Sequence, residues 1–289
     1  MIVITGATGQ LGRLVVKALL KRTSPSQIVA AVRSPDKASD LAQVGVTVRE
    51  ADYDRPETLA SAFKGAEKVL LISGNVLGRR VVQHRAVIDA ARKAGVRLLG
   101  YTSVLHAPAT KLMVGPDHRE TEAAIKDSGL PAVVLRNGWY SENYLFRAAG
   151  AAKSGELLGC AGEGKISSAP RADYAEAAAQ ALTKPDQAGH IYELAGDDSF
   201  TLGGLARELS QQLGKPIAYR NVPESEFKEA LEKNGIPSAY APMLARSDAL
   251  TAEGALFDAG RQLSALLGRA STPMAQTVEE ALRTGQIPK

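Results

Sequence analysis

Short apolar runs alternate with segments of helical spacing through the first half of the chain. The strand-length runs cover residues 2–5, 28–32, 46–49, 68–72, 97–102 and 132–136, and apolar positions recur with helical period over 11–21, 35–43, 56–63, 79–94 and 118–127. Strands this apolar are buried on both faces, and their regular alternation with helices predicts a parallel sheet with helices on both sides. The breakers agree: Pro35 and Pro56 stand at helix starts, while Gly95 and Gly129 follow helix ends. Beyond about Gly138 the pattern loosens, although 189–194 reads as a further strand and 201–213 and 225–233 as amphipathic helices.

These periods predict an α/β fold, a doubly wound parallel sheet of Rossmann type, with a smaller C-terminal α+β part that binds substrate. The division expected is 1–140 with 165–197 as the nucleotide-binding domain and 141–164 with 198–289 as the smaller one. Ligands of such sheets bind beyond the carboxyl ends of the strands, where the strand order reverses.

The strongest local signal is Thr5-Gly6-Ala7-Thr8-Gly9-Gln10-Leu11-Gly12, which follows the first strand and opens the first helix. Gly6, Gly9 and Gly12 let the backbone turn sharply, approach a pyrophosphate and pack helix on strand. The helix start then offers free amide N–H groups and positive dipole to the phosphates, with Thr8, Gln10 and Leu11 inside that turn. A turn that held nothing would leave three glycines without a reason. At the end of the second strand an acid would bond the ribose of NAD, whereas a cation pairs with the 2′-phosphate of NADP. That position holds Arg33, with Lys37 one helical turn on, which favours NADPH over a merely solvated surface cation. Ser73, Gly74 and Asn75 end the fourth strand and are small enough to admit a nicotinamide ribose. Asp52, after the third, either caps its loop or faces the adenine.

Composition narrows the partners. The 289 residues carry 35 Lys+Arg against 31 Asp+Glu, for a net charge of +4, with 45% apolar and 5% aromatic content. This is a globular balance, and its cations are interspersed with acids, which argues against a nucleic-acid partner. No apolar stretch approaches membrane-helix length, nothing marks the first residues for export, and the single Cys160 suits a reducing cytoplasm. A small buried thiol is the reading for Cys160. His84, His106, His118 and His190 are too scattered for a metal site, so no metal is expected. His118 and His106 are the candidate proton sources with near-neutral pKa, against a plain cleft-rim role. A monomer or a homodimer fits equally.

With these pieces placed, the chain resembles the NmrA-like group of atypical short-chain dehydrogenase/reductases, and within it the bacterial NAD(P)H:quinone oxidoreductases of type 2. The matching segments are the glycine motif, Ala51-Asp52-Tyr53, Tyr101-Thr102-Ser103, Arg136-Asn137-Gly138-Trp139-Tyr140-Ser141-Glu142-Asn143-Tyr144, Ala172-Asp173-Tyr174 and Tyr192-Glu193-Leu194-Ala195-Gly196. The resemblance implies that Asn137, Gly138, Trp139 and Tyr140 line the nicotinamide end of the cofactor and that Asn143 and its neighbours face a quinone. The bland alternative makes Trp139, Tyr140 and Tyr144 an aromatic core.

The common reductases of this fold use a Tyr-x-x-x-Lys pair in which Lys lowers the phenol's pKa. None of the eight tyrosines here has Lys four residues on, and Val114 and His118 occupy the expected place. A quinone tolerates that loss, because hydride addition yields a stabilised phenolate-like anion that needs only weak donors such as Asn143 or Tyr140. The resemblance further implies that no flavin takes part. A non-catalytic NADP(H)-binding redox sensor is the alternative, and an epimerase, which would want a strong acid/base pair, is the weaker third. No Gly-x-Ser-x-Gly elbow marks a hydrolase.

Overall fold

The computed structural model describes residues 1–76 and 78–288. In chain order the first half runs β1 (Ile2–Thr5), α1 (Gln10–Leu19), β2 (Ile28–Val32), α2 (Ser39–Gln43), β3 (Thr47–Glu50), α3 (Pro56–Ala62), β4 (Lys68–Leu71), α4 (Arg80–Lys93), β5 (Leu98–Val104), α5 (Gly115–Ser128) and β6 (Ala132–Asn137). There follow α6 (Glu142–Ser154), β7 (Glu156–Gly159), α7 (Arg171–Thr183), β8 (Ile191–Leu194), α8 (Leu202–Leu213), β9 (Ala218–Asn221), α9 (Glu224–Lys233), α10 (Ala241–Thr251), α11 (Gln262–Leu267) and α12 (Met274–Arg283).

The chain forms two compact units. The first comprises 1–108, 116–137 and 171–194. Its parallel sheet has the order β3-β2-β1-β4-β5-β6-β8, the doubly wound arrangement that the alternation predicts, and its order reverses between β1 and β4. All of β2 and β5 is buried, whereas the edge strands β3 and β8 are only partly covered, as helices on both faces require. Val3, Val29, Leu59, Phe63, Val69, Leu71, Leu99 and Tyr101 form the core under one face. On the other, α1 packs on α7.

The second unit comprises 109–115, 138–170 and 195–288 of the described residues. Its small parallel sheet pairs β7 with β9, and Val222, Phe227, Leu231, Ala241 and Ala245 make a core between α9 and α10. The observed boundary differs from the expected one: 109–115, 138–140, 165–170 and 195–197 group with the second unit.

The sequence reading left α6, β7, β9, α10, α11 and α12 unassigned, and three further elements depart from it. Residues 35–43 form a 3-10 turn (Pro35–Ala38) and then α2, because Ala38 takes φ −118° and ψ 17° and breaks the helical run. Helix α5 starts at Gly115 instead of 118, since Pro116 is well tolerated in a first turn. Helix α7 had no periodic signal at all. Alanines 175, 177, 178, 179 and 181 are all buried, so no polar face contrasts with the apolar one.

Among the described residues no helix is long and apolar enough to cross a membrane. Phe63 is fully buried under the sheet. Replacing it with Ala is expected to cost about 3–5 kcal/mol of unfolding free energy, measured by urea titration, with secondary structure retained in the absence of denaturant.

Candidate active site

The glycine turn follows directly from β1. Gly6 has φ +59°, where an L side chain is strained, and a Cβ on Gly12 would fall 2.4 Å from the Gly6 carbonyl oxygen. A Cβ on Gly9 would lie 3.1 Å from the same atom. Gly9 precedes α1 with no side-chain cap and no acid in the first turn, so the positive end of the helix is left for a ligand. Gly6, Gly9 and Gln10 are exposed and Thr8 half-buried, whereas Leu11 is in the core and can offer a ligand only its backbone.

The loop after β4 meets this turn through two side chains. The buried Thr5 hydroxyl donates to the Leu70 carbonyl oxygen at 2.9 Å and accepts from the Ile72 amide at 3.1 Å. Tyr53 Oη lies 2.5 Å from Thr5 Oγ1 and 3.0 Å from the Ile72 carbonyl oxygen, and burial pushes its phenol well above the usual range. Ser73 donates its amide to Thr102 Oγ1 at 2.9 Å, and Gly74 donates its amide to His84 Nε2 at 2.9 Å. Asn75 is exposed. Gly6 and Gly74 both approach the Tyr53 side chain, and a Cβ on either glycine would lie 3.9 Å from it.

Behind the loop lies a buried polar layer. His84 and Tyr101 meet edge to face, and Tyr101 Oη lies 2.6 Å from His118 Nδ1. Burial, and then the Arg80 charge, lower both imidazoles to about 3. This corrects the near-neutral pKa expected of His118: it is a neutral ring at physiological pH and no imidazolium acid. His106 has φ +53° and gives its backbone amide to Glu193 Oε2 at 2.8 Å.

At the end of β2, Arg33 and Lys37 are both exposed. Arg13 of α1 donates to the Lys37 carbonyl oxygen at 2.7 Å and pairs with Asp40. Hydrogen bonds from Arg79 and Gln83 hold the Asp54 carboxyl below its usual range, and the Arg33 charge adds to this. Of the two readings of Asp52, the structure displays the cap: Oδ1 accepts the Asp54 amide at 3.0 Å and Oδ2 lies 3.6 Å from Arg55 Nε.

The Asn-Gly-Trp-Tyr-Ser-Glu-Asn run divides at its second residue. Asn137 ends β6 in the first unit with its Oδ1 buried and without a hydrogen-bond partner among the described residues. Gly138, Trp139 and Tyr140 belong to the second unit, where Tyr140 bridges to Ala169 and Ser141 gives its amide to the Ala169 carbonyl oxygen at 3.0 Å. Tyr140 and Asn143 are half-buried, and Asn143 lies in the first turn of α6. Tyr144 is the core member of the run, buried edge to face against Phe200. Cys160, half-buried, donates its thiol to the Ala245 carbonyl oxygen at 3.3 Å, and burial pushes it up to about 12, which leaves it unreactive.

Sequence reasoning gave no site role to Tyr53, Arg80, His84 or Thr102. A signal existed for two of them. The inward stripe of α4 reads Arg80, Gln83, His84, Val87, Ile88, Ala91, and its polar residues all fall in the first turn, at the carboxyl edge of the sheet. Among the described residues no group of three or more His, Cys, Asp or Glu side chains is placed to hold a metal ion.

The first unit fits a dinucleotide on two observations: the glycine cradle has no room for a Cβ at Gly12, and the orphaned Asn137 Oδ1 is an acceptor awaiting a donor. The two neutral histidines set a pH dependence. Each binds no proton in the folded state between about pH 3 and 6.5 but does so once unfolded, so stability is full above 6.5 and is lost as pH falls through that window. Unfolding free energy is expected to drop between pH 7.5 and 5 by about 2 kcal/mol per histidine, measured by urea titration, with a shallower slope in His84→Gln.

A family model described as NAD(P)H-binding matches residues 6–185. The chain is 50% identical over 278 residues to quinone oxidoreductase 2 of Escherichia coli, covering 96% of this chain and 97% of that one. Its structure superposes with a TM-score of 0.95 on the crystal structure of the NADPH-dependent quinone oxidoreductase of Escherichia coli complexed with NADPH, at 50% identity and covering 97% of this chain and 99% of that one. Citrobacter sp. triphenylmethane reductase complexed with NADP(H) superposes with a TM-score of 0.95 at 37% identity, covering 98% and 100%. The resemblance read from the motifs is borne out, and the chain belongs to the NAD(P)H-binding family, among the NmrA-like, atypical short-chain dehydrogenase/reductases.

Proposed function

We propose that this protein is an NADPH-dependent quinone oxidoreductase that works without a flavin. The observation that carries the reading is the 50% identity, over nearly the whole of both chains, to a quinone oxidoreductase, on a first unit whose glycine cradle closes against any side chain at Gly12.

Bound NADPH supplies a hydride, the two-electron reductant that a quinone needs. In this reading the amides from Gly6 to Gly12, including those of Thr8, Gly9, Gln10 and Leu11, take the pyrophosphate at the start of α1. Arg33 and Lys37, both exposed, would take the 2′-phosphate through charge-assisted hydrogen bonds. Ser73, Gly74 and Asn75 receive the nicotinamide ribose. Asn137, with its orphaned Oδ1, would hold the carboxamide of the nicotinamide, and the resemblance assigns Gly138, Trp139 and Tyr140 to the nicotinamide as well. Asp52 shapes the adenine side as the cap of its loop.

The proton side of the reaction needs little from the chain. Asn143 and Tyr140 are the residues assigned to hydrogen-bond the quinone oxygen on which negative charge would develop as the hydride goes to the opposite oxygen, and that anionic oxygen would then take one proton from solvent to give the hydroquinone. His118, neutral at working pH, is left as a hydrogen-bonding ring beside Tyr101 rather than the source of that proton.

The partner proposed is therefore a small-molecule quinone, with no nucleic acid, and the setting proposed is the cytoplasm, with the chain a monomer or a homodimer. The test follows NADPH and NADH oxidation at 340 nm with benzoquinone and naphthoquinone acceptors and no added flavin. Quinone-dependent turnover that favours NADPH is expected, and in Arg33→Ala the KM for NADPH rises about 10- to 100-fold while that for NADH changes by less than about twofold. Tight NADPH binding with no acceptor-dependent turnover would overturn the enzyme reading in favour of a redox sensor.

A further inference from the structure

The first turn of α4 places two charged or titratable side chains where a helix of this kind normally buries apolar ones. Arg80 is 7% exposed and His84 0%. Burying such groups costs free energy unless every polar atom is met, so their partners identify what they do.

Both reach the same residue of the loop after β4. His84 Nε2 accepts the Gly74 amide at 2.9 Å, and Arg80 Nε donates to the Gly74 carbonyl oxygen at 2.8 Å. The other ends of the two side chains converge on α5. Thr121 Oγ1 gives its own proton to the Asp117 carbonyl oxygen at 2.8 Å, so at 3.0 Å from His84 Nδ1 it accepts. That contact fixes the proton on Nδ1 and leaves the Nε2 lone pair for Gly74. Arg80 Nη1 pairs with the Asp117 carboxylate at 2.7 Å. Asp117 therefore anchors both arms, one through its backbone and one through its side chain.

We propose that Arg80 and His84 are positioning residues for the reduced cofactor: by holding both backbone polar groups of Gly74 they fix the loop after β4 in the shape that receives the nicotinamide ribose. Apolar side chains in their place would leave the Gly74 amide and carbonyl to find other partners, and the loop would lose its single conformation. Gly74 also has little latitude of its own, since a Cβ there would meet Gln83 Oε1 at 3.1 Å and His84 Nε2 at 3.8 Å. The clamp acts on the backbone that faces the ribose and needs no contact with the acceptor.

This inference rests on NADPH binding and not on the identity of the oxidant, so binding is read directly. NADPH is titrated by its fluorescence into the wild-type chain and into His84→Leu, His84→Gln and Thr121→Val, and steady-state constants are measured with a quinone. Gln presents an acceptor where Nε2 stands, whereas Leu presents none, and Thr121→Val keeps volume while removing the hydroxyl that selects the tautomer. In His84→Leu and Thr121→Val the Kd for NADPH is expected to rise about three- to tenfold at unchanged quinone KM, with His84→Gln within about twofold of wild type. If His84→Leu does not fold, the isosteric Thr121→Val carries the same comparison. Wild-type NADPH affinity in Thr121→Val, or affinity as weak in His84→Gln as in His84→Leu, would overturn the clamp. A wild-type chain that binds NADPH but turns over no quinone would sink the proposed activity and leave the binding comparison to decide the clamp.

Discussion

The Thr5 hydroxyl is wholly buried where the strand order reverses, and its bonds tie β1 to β4 and to Tyr53. It donates to Leu70, accepts from Ile72 and sits 2.5 Å from Tyr53 Oη. A doubly wound sheet opens its binding crevice at this point, because the helices following the two strands depart to opposite faces. The same opening removes the ladder partners of the strand ends. A single side chain replaces them here, and the glycine turn and the loop after β4 inherit their positions from it.

Neutrality runs through the layer beneath that loop. Four polar side chains, Arg80, His84, Tyr101 and His118, lie within it, yet only the guanidinium is charged, and its field helps to keep the two imidazoles unprotonated. Burial keeps the Tyr101 phenol protonated as well. Such a layer can orient groups by hydrogen bonds but cannot deliver a strong acid. That suits an acceptor whose reduced anion is already stabilised, and it accounts for a short-chain reductase fold with no Tyr-x-x-x-Lys pair.

Much of the fold was legible because strands buried on both faces leave an unbroken apolar signature. The six strands from β1 to β6 fall where the runs predicted, with edges shifted by a residue or two at β3, β4, β5 and β6. The chain after 138 was harder to read for physical reasons. Helix α7 is mostly alanine and shows little contrast between its faces, α11 has only six residues, and β7 and β9 are partly exposed strands without an unbroken apolar run. In the site, Gly6, Gly9 and Gly12 could be read from their spacing between the first strand and the first helix, and the structure gives each a reason: a positive φ at Gly6 and a close approach to the Gly6 carbonyl oxygen at Gly9 and Gly12. Tyr53 could not be assigned, since nothing local distinguishes a tyrosine that bridges two strand ends from one that caps a loop.

The sequence by itself determined the layered α/β architecture, the glycine cradle and the cationic end of β2, because each is encoded in residues close together in the chain: a period, a spacing, a strand-end charge. Only the tertiary structure decided that His118 is neutral, that Asp52 caps its loop, that Tyr144 belongs to the core and that Arg80 and His84 grip Gly74. Those outcomes depend on desolvation and on partners tens of residues away, such as Asp117 and Thr121 on α5, which become neighbours only once the strands between them have paired.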